Sequence, residues 1–255
     1  MVDFVGAGPG AKDLITVRGR RLLEEAQVII YTGSLVNPAL LEYAGEECRI
    51  YNSAYMDLEE VIAVMTEAEA QGKRIVRLHT GDPGLYGAIR EQMDRLKALG
   101  IDYEVCPGVS SFCAAAAAMK AEYTLPGVSQ TVIITRMEGR TPVPEREKIR
   151  ALAAHQATMV IFLSAGRIRE LAKELMAGGY AGDTPSAICY KVSFKEEQIL
   201  RCPLAQLYET AQTAQITKTA LITVGRFLGD DYELSKLYDS HFETEYRKGK
   251  NGCEV

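Results

Sequence analysis

Glycine-rich stretches contain the residues of this sequence that are best suited to bind a small molecule. GAGPGAKDLIT (6–16), TGDPGLYG (80–87) and PGVSS (107–111) contain more glycine, proline and small polar residues than a connecting loop requires, and YTGSLVNP (31–38) is a weaker example. Because glycine lacks a side chain, its backbone N–H and C=O groups can come close to a ligand. No Ser-His-Asp or Cys-His set accompanies these loops, so the sequence indicates binding and alignment and leaves the catalytic residue unassigned.

One acidic side chain and one imidazole lie at the second of these loops. Asp82 can accept hydrogen bonds from a ribose or an ammonium group of a ligand. An aspartate in such a loop also commonly caps its own turn, and both interpretations stay open. His79 directly precedes the loop, but a lone histidine on a strand is more often a hydrogen-bonded structural residue than an acid or a base.

The segments that must position the glycine loops alternate between strand and helix patterns in the first half of the chain. This alternation favours a parallel sheet covered by helices. In such a sheet the ligand crevice lies at the carboxyl ends of the strands, which is where the glycine loops begin. The strand candidates are VDFVG, QVIIY, CRIYN, KRIVRLH and DYEVCPG.

The chain divides into two α/β domains according to its composition. Periodicity lapses at MKAEYTLPGVSQ, where proline and glycine interrupt the pattern, and this places a boundary near residue 120. We expect an N-terminal domain over 1–119 with a largely parallel sheet. A C-terminal domain over 120–232 follows, with a mixed sheet because several of its strand candidates are joined by short links. Residues 233–255 read as a charged tail.

Composition excludes several classes of protein. The formal net charge of −5 disfavours a nucleic-acid partner. No apolar run is long enough to span a membrane, and the first residues, MVDFVGAG, do not resemble a secretory signal, so we expect a cytoplasmic protein. The six cysteines form no C-x-x-C pair, which argues against both a zinc site and a disulfide scaffold, and we expect no metal.

One interpretation of the first loop is a dinucleotide site. GAGPGA fits the G-x-G-x-x-A spacing of NAD(P)-binding folds, which would make the protein an oxidoreductase. The expected helix begins near Thr16 instead of in the glycine turn, and VIIYTGS offers no acid for a ribose hydroxyl. Pro9 also removes a backbone donor from the turn.

A second interpretation rests on GPGAKDLIT, TGDPGLYG and PGVSS occurring together and in this order. They resemble the tetrapyrrole (precorrin) methylase family, S-adenosylmethionine-dependent enzymes of cobalamin and siroheme synthesis. The first loop departs from the family pattern at Ala11, where Asp or Asn is common. The resemblance runs from VDFVGAGPG to TALITVGRFLG and implies two α/β domains, an active-site trough between them and a homodimer.

Further segments point to one branch of this family. YTGSLVNPALL, MDLEEV, AEYTLPGVSQTVIITRMEGRTPVP and GRFL resemble the precorrin-4 C11-methyltransferases, including the cobalt-precorrin-4 enzyme of the anaerobic route. The resemblance implies methyl transfer from S-adenosyl-L-methionine, with S-adenosyl-L-homocysteine as product. Another precorrin or uroporphyrinogen III methyltransferase, and a noncatalytic tetrapyrrole or nucleotide binder, remain alternatives.

The family's contacts imply a set of site residues in this chain. Substrate candidates are tyrosines and basic residues near predicted strand ends and in RMEGRTPVPER, because the acetate and propionate arms of a tetrapyrrole call for cationic partners. The cofactor candidates are Pro9, Thr80, Gly81, Asp82, Leu85, Ser110, Ser111, Met137, Leu163 and Ala220. The substrate candidates are Tyr31, Arg77, Tyr86, Lys120, Arg136, Arg140 and Lys191.

Overall fold

The computed structural model describes residues 1–33 and 35–249. Its backbone contacts divide the chain into two compact units. Unit 1 comprises Met1–Lys120, Cys189–Ile199 and Lys218–Leu221, and unit 2 contains the other described residues. The sequence predicts continuous domains over 1–119 and 120–232, whereas in the structure two later segments group with the first unit.

Unit 1 contains a five-stranded sheet that is parallel throughout, as the alternating pattern predicts. The strand order is β3-β2-β4-β1-β5, so β4 and β1 occupy the centre of the sheet. The loops that follow these two strands and β5 therefore begin at neighbouring positions along one edge. The strands are β1 (Val2–Gly6), β2 (Val28–Tyr31), β3 (Arg49–Asn52), β4 (Ile75–His79) and β5 (Tyr103–Cys106).

The first two helices of unit 1 begin at side-chain caps, the first of them at Thr16 as the sequence predicts. The Thr16 side chain accepts the backbone N–H of Gly19 at the start of the first helix. Asp57 and Glu60 form a reciprocal capping box at the second, and Gly72 takes a φ of +66° just beyond its end. The helices are α1 (Val17–Glu25), α2 (Leu58–Ala70), α3 (Ile89–Ala98) and α4 (Ser111–Met119).

Both faces of this sheet are buried in apolar cores. Phe4 and Ile30 point to the face that packs on α2 and α3, where Met65 and Leu96 are fully buried. The residues that alternate with them, such as Leu78, point to the other face. Each fully buried side chain of this size contributes about 1.5–3 kcal/mol relative to exposure, so the strands are held firmly and their end loops start from fixed positions.

The second sheet is mixed, as the short links predict. Its order is β6-β7-β10-β8-β9; β6 runs parallel to β7, and β10 runs antiparallel to β7. Short helices follow its strands. The strands are β6 (Val132–Arg136), β7 (Thr158–Phe162), β8 (Pro185–Tyr190), β9 (Gln198–Pro203) and β10 (Ala220–Val224), and the helices are α5 (Ile149–Ala153), α6 (Ile168–Ala177) and α7 (Leu207–Thr213).

The expected charged tail over 233–255 is described as far as residue 249. That part holds one short 3-10 turn, Lys236–Tyr238, and exposes several apolar side chains, among them Leu234 and Tyr238. The rest of the predicted tail lies outside the described residues. No helix within 1–33 and 35–249 is long and apolar enough to cross a membrane.

Candidate functional site

The first and second glycine loops are joined by a reciprocal pair of backbone hydrogen bonds. The N–H of Gly81 donates to the carbonyl of Gly8 at 2.9 Å, and the N–H of Gly8 donates to the carbonyl of Gly81 at 3.2 Å. Both residues have positive φ angles, +79° at Gly8 and +62° at Gly81, which side chains disfavour. Two loops that are 73 positions apart in sequence are thus fixed against each other.

The third loop comes close to the same pair through Gly108. A Cβ placed on Gly108 would overlap the carbonyl oxygen of Gly81 and would lie 2.7 Å from the Cα of Gly6. Close backbone approach is the physical reason for glycine at this position. Gly108 is not among the site residues predicted from the sequence, although the PGVSS loop that contains it is predicted to bind a ligand. Composition alone does not show which glycine lies against a neighbouring backbone.

Asp82 uses both carboxylate oxygens to fix these loops. Oδ1 accepts the N–H of Gly84 at 2.8 Å, which caps the turn of its own loop. Oδ2 accepts the N–H of Gly108 at 2.9 Å and ties the loop after β4 to the loop after β5. Of the two interpretations left open by the sequence, the structure shows the turn-capping contact directly and adds a cross-loop contact to it.

The other cofactor candidates of unit 1 lie along the same edge. The Thr80 hydroxyl is 3.2 Å from that of Thr32, which follows β2. Ser110 is the N-cap residue of α4 and is 5% exposed, and Ser111 is the first residue of that helix. Pro9 is buried between Gly8 and Gly10, and the N–H of Leu85 donates to the carbonyl of Asp82.

A segment from the second half of the chain covers the first loop. The Ser193 hydroxyl accepts the N–H of Ala11 at 2.9 Å, and the ring of Phe194 lies where a Cβ on Gly10 would stand. Asn37 donates to the carbonyl of Gly10 at 2.8 Å from another side. Sequence reasoning missed Ser193, Phe194 and Asn37, because nothing in their local pattern indicates packing against a loop so distant in sequence.

In unit 2, two cofactor candidates are connected through Ser164. Its hydroxyl accepts the N–H of Met137 at 2.9 Å and donates to the carbonyl of Phe162 at 2.7 Å, so it joins the ends of β6 and β7. Leu163, which stands between Phe162 and Ser164 in the sequence, has a φ of +54° and is 70% exposed. A leucine that is both strained and exposed is uncommon, and such positions cluster at functional sites.

Several substrate candidates present part of their side chains to solvent. Tyr31 ends β2 and is half-buried, and Tyr86 is 45% exposed in the loop after β4. Lys120 is exposed with a φ of +52°, directly after α4. The Nζ atom of Lys191 lies 3.7 Å from a carboxylate oxygen of Glu196. The backbone N–H of Lys191 donates to the carbonyl of Thr219, next to the cofactor candidate Ala220.

Arg77 lies elsewhere than the sequence leads one to expect. The residue is 6% exposed inside the sheet face that packs on α2 and α3, and its guanidinium donates to Gln92 Oε1 and to the Ile30 carbonyl. Burial lowers its pKa to about 10. A side chain consumed by internal partners is not presented to a substrate, so the expected substrate contact of Arg77 is not supported.

His79 is buried beside Arg77, and this burial keeps its imidazole neutral. It is 2% exposed, and burial, with the charge of Arg77 as a smaller cause, lowers its pKa to about 3. Its Nε2 is a buried side-chain atom without a hydrogen-bond partner among the described residues. A neutral, enclosed imidazole agrees with a structural role for His79 and not with surface acid-base chemistry, but within the described part of the chain its Nε2 lacks the hydrogen bond that the sequence interpretation expects.

The two arginines of the proline-rich loop in unit 2 differ in their contacts. Arg136 donates to the carbonyl of Thr141 at 3.2 Å and to that of Pro142 at 2.9 Å, so it folds back on its own loop. Arg140 is exposed at the tip of that loop. Arg136 therefore shapes the loop, and Arg140 is the better placed of the two to meet an anionic group.

The structure disfavours the dinucleotide interpretation. Helix α1 begins at Val17, and a separate 3-10 turn, Lys12–Leu14, stands between the glycines and that helix. A pyrophosphate cradle requires the glycine turn to open directly into a helix N-terminus. The glycine loops instead bond to one another at the carboxyl ends of parallel strands, which is where ligands bind in open α/β sheets.

Comparison with known proteins identifies the family. A family model described as Tetrapyrrole (Corrin/Porphyrin) Methylases matches residues 1–208. The chain is 57% identical over 248 residues to the cobalt-precorrin-4 C(11)-methyltransferase of Methanocaldococcus jannaschii, and the match covers 97% of this chain and 96% of that protein.

Two solved structures agree with this match. A cobalt precorrin-4 methyltransferase has a TM-score of 0.88 and 44% identity, covering 90% of this chain and 96% of that one. The uroporphyrin-III C-methyl transferase of Thermus thermophilus, solved in complex with S-adenyl homocysteine, has a TM-score of 0.74 and 27% identity, covering 89% and 98%. With the resemblance of its glycine loops confirmed in this way, the chain belongs to the tetrapyrrole (corrin/porphyrin) methylase family.

Proposed function

We propose that this protein transfers a methyl group from S-adenosyl-L-methionine to C11 of precorrin-4 or cobalt-precorrin-4 in cobalamin synthesis. The observation that carries the proposal is its 57% identity, over nearly the full length of both chains, to an enzyme named for that reaction. A different class, the NAD(P)-dependent oxidoreductases, is not favoured, because the first glycine loop does not open into a helix.

The candidate residues fit a cofactor of this kind. Gly81 has a positive φ, and the nearest atom to a Cβ placed there is 3.7 Å away, so the protein leaves room beside its Cα. Leu163 offers an exposed apolar surface suited to an adenine or ribose ring face. The proposed contacts are those with Pro9, Thr80, Gly81, Asp82, Leu85, Ser110, Ser111, Met137, Leu163 and Ala220.

The contribution of the chain to the reaction is alignment. S-adenosyl-L-methionine, when bound, supplies a methyl group that its positively charged sulfur has already activated. The backbone groups held by Gly8, Gly81 and Asp82 fix the position of a bound ligand before the reaction begins. Orientation of two reactants can remove about 7–11 kcal/mol from a barrier at best, so no acid, base or metal needs to be invoked for the transfer itself.

The proposed substrate is an anionic tetrapyrrole, and its acidic arms require cationic partners. Lys120 and Arg140 are exposed, and neither forms an ion pair with another residue within 1–33 and 35–249. Lys191 retains partial exposure beside Glu196. We assign carboxylate binding to these three side chains, with Tyr31 and Tyr86 against the macrocycle edge.

The proposal is tested by binding first and turnover second. Calorimetry with S-adenosyl-L-homocysteine is expected to show one site per chain, and NADH is expected to give no heat. Isotopically labelled methyl from S-adenosyl-L-methionine is then expected at C11 of precorrin-4 or of its cobalt form, located by NMR. Methylation of a different carbon would replace the assignment with another member of the family, and binding of NADH alone would overturn it.

A matched pair of variants links binding to the loop after β4. Gly81 and Gly100 have similar positive φ values, +62° and +68°, and a Cβ at either position meets no atom closer than 3.7 Å. Gly81→Ala and Gly100→Ala therefore introduce a similar backbone strain without overlap. Only Gly81→Ala is expected to weaken cofactor binding, and equal loss in both variants would remove the loop from the site.

The oligomeric state and location form part of the same proposal. Family resemblance supports a homodimer with the tetrapyrrole as its small-molecule partner, and the proposed location is the cytoplasm. Sedimentation of the purified chain measures the oligomeric state, and fractionation of its native cells measures the location. A monomer that turns over substrate would separate dimerisation from activity.

A further inference from the structure

Arg77 is a buried cation whose partners are neutral. It is 6% exposed on β4, and its guanidinium donates to Gln92 Oε1 at 2.9 Å and to the Ile30 carbonyl at 3.1 Å. Within the described ranges no carboxylate forms an ion pair with it. Buried charges are normally paired with opposite charges, because removing an ion from water is unfavourable. A buried cation with only neutral partners therefore indicates a role other than stabilisation of the fold.

Gln92 connects Arg77 to the loop after β4 through a second hydrogen bond. The residue is 6% exposed in the first turn of α3, and its Nε2 donates to the carbonyl of Ala88 at 3.1 Å. Arginine has donors and no acceptor, so Oε1 of Gln92 must face the guanidinium and Nε2 must face Ala88. Arg77 thereby fixes the orientation of the amide that holds the end of the loop.

The loop segment held in this way is conformationally unusual. Tyr86 and Ala88 have φ values of +57° and +49°, in the left-handed region that residues with side chains seldom occupy. Between them, a Cβ on Gly87 would overlap the carbonyl of Pro83. Ala88 is also the N-cap residue of α3 and lacks a side-chain capping bond. Such a conformation persists only where the surroundings determine it.

We propose that Gln92, oriented by the buried Arg77, is a positioning residue that holds Tyr86 and Ala88 in their left-handed conformation and so shapes the cofactor loop of residues 80–87. The assignment of that loop to the cofactor rests on the proposed function. The positioning itself acts through the Ala88 carbonyl and does not require Gln92 or Arg77 to touch cofactor or substrate. Neutral partners suit this purpose, because the Gln92 amide can accept from one side and donate to the other, which a carboxylate cannot do.

Gln92→Met tests the proposal, with Leu96→Ala as its control. Methionine has a similar length and neither hydrogen-bonding group, whereas Leu96 lies fully buried on the same helix, in the apolar core. In Gln92→Met, the backbone amides of Asp82 and of residues 84–88 are expected to exchange hydrogen at least tenfold faster than in wild type, while those of β1 do not change. In Leu96→Ala, exchange in β1 is expected to accelerate as much as in the loop.

Calorimetry supplies the functional readout. Gln92→Met and Arg77→Met are expected to weaken S-adenosyl-L-homocysteine binding by at least tenfold, and folded Leu96→Ala to bind it like wild type. A rescue separates positioning from general stability: Ala88→Gly relieves the left-handed strain and is expected to restore part of the affinity lost in Gln92→Met.

Defined outcomes would overturn the proposal. Unchanged loop exchange in Gln92→Met, or acceleration spread equally over β1 and the loop, would make Gln92 an ordinary stabilising residue. Absence of rescue by Ala88→Gly would do the same. If wild type binds no S-adenosyl-L-homocysteine, the proposed function fails, whereas positioning is still decided by the exchange measurement, which needs no ligand. If Gln92→Met does not fold, Arg77→Met with and without Ala88→Gly provides the same comparison.

Discussion

Asp82 accepts the backbone N–H of Gly108 at 2.9 Å, and this single contact joins the loop after β4 to the loop after β5. Its other carboxylate oxygen accepts the N–H of Gly84 at 2.8 Å. The residue that the sequence marks as a possible ligand contact thus has both oxygens engaged by loop backbone. The observed effect of Asp82 is to fix the backbone of these two loops.

The first prediction concerns the removal of this carboxylate. Asp82→Ala leaves two loop N–H groups without their acceptor, and we expect a loss of about 1–3 kcal/mol in the free energy of unfolding. We also expect S-adenosyl-L-homocysteine to bind at least tenfold more weakly, because the loops are no longer fixed together. Asp82→Asn keeps one carbonyl acceptor, and we expect its stability and its affinity to lie between those of wild type and Asp82→Ala. Urea denaturation and calorimetry measure both quantities, and full affinity in Asp82→Ala would contradict the prediction.

The second prediction concerns the close approach at Gly108. A methyl group there overlaps the Gly81 carbonyl, so Gly108→Ala must separate the loops. We expect a destabilisation of about 1–3 kcal/mol, typical of overpacking, together with loss of measurable cofactor binding. Gly45→Ala is the control, because a Cβ at Gly45 meets no atom within 4 Å. Retained binding in Gly108→Ala would show that the loops tolerate separation.

The third prediction concerns the dependence of stability on pH at His79. Its pKa is about 3 in the folded protein and about 6.5 in an unfolded chain, so between these values the unfolded state binds a proton that the folded state does not. Stability from this residue is therefore present above about pH 6.5 and falls as the pH is lowered, by on the order of 1 kcal/mol per pH unit. Comparison of urea unfolding of wild type and His79→Leu at several pH values isolates this contribution. Parallel pH profiles would show that His79 takes up its proton in the folded state.

The parts of the fold that the sequence predicts are those set by local chemistry. Thr16 and the Asp57–Glu60 pair specify helix starts through contacts three residues apart. The parallel sheet follows from the alternation of strands and helices. These features require no knowledge of distant parts of the chain.

The parts that the sequence does not predict depend on long-range packing or on backbone strain. Phe194 lies against Gly10, and Gln92 meets Arg77 only once β4 and α3 have packed together. A basic residue near a strand end resembles a ligand contact when its burial is unknown. For this reason the sequence suggests a substrate contact for Arg77, which the structure shows to be buried. The left-handed conformation of Leu163 has no local signal, because leucine gives no indication of a positive φ.

The last prediction uses that strained leucine. Leu163 has a φ of +54° and is 70% exposed, so its conformation is unfavourable and its apolar side chain gains little from the protein itself. Leu163→Gly relieves the strain, and we expect stability to hold or to rise by up to about 1 kcal/mol. Cofactor binding is expected to weaken roughly tenfold, equivalent to about 1.4 kcal/mol of lost apolar contact. Gln215→Gly, with a φ of +55° at the end of α7, is the control that relieves similar strain without a change in affinity. Both variants are compared with wild type by thermal denaturation and calorimetry. Equal affinity in Leu163→Gly and wild type would show that the leucine does not contact the cofactor. Stability gained together with affinity lost would show that the fold tolerates this strain for the sake of the ligand.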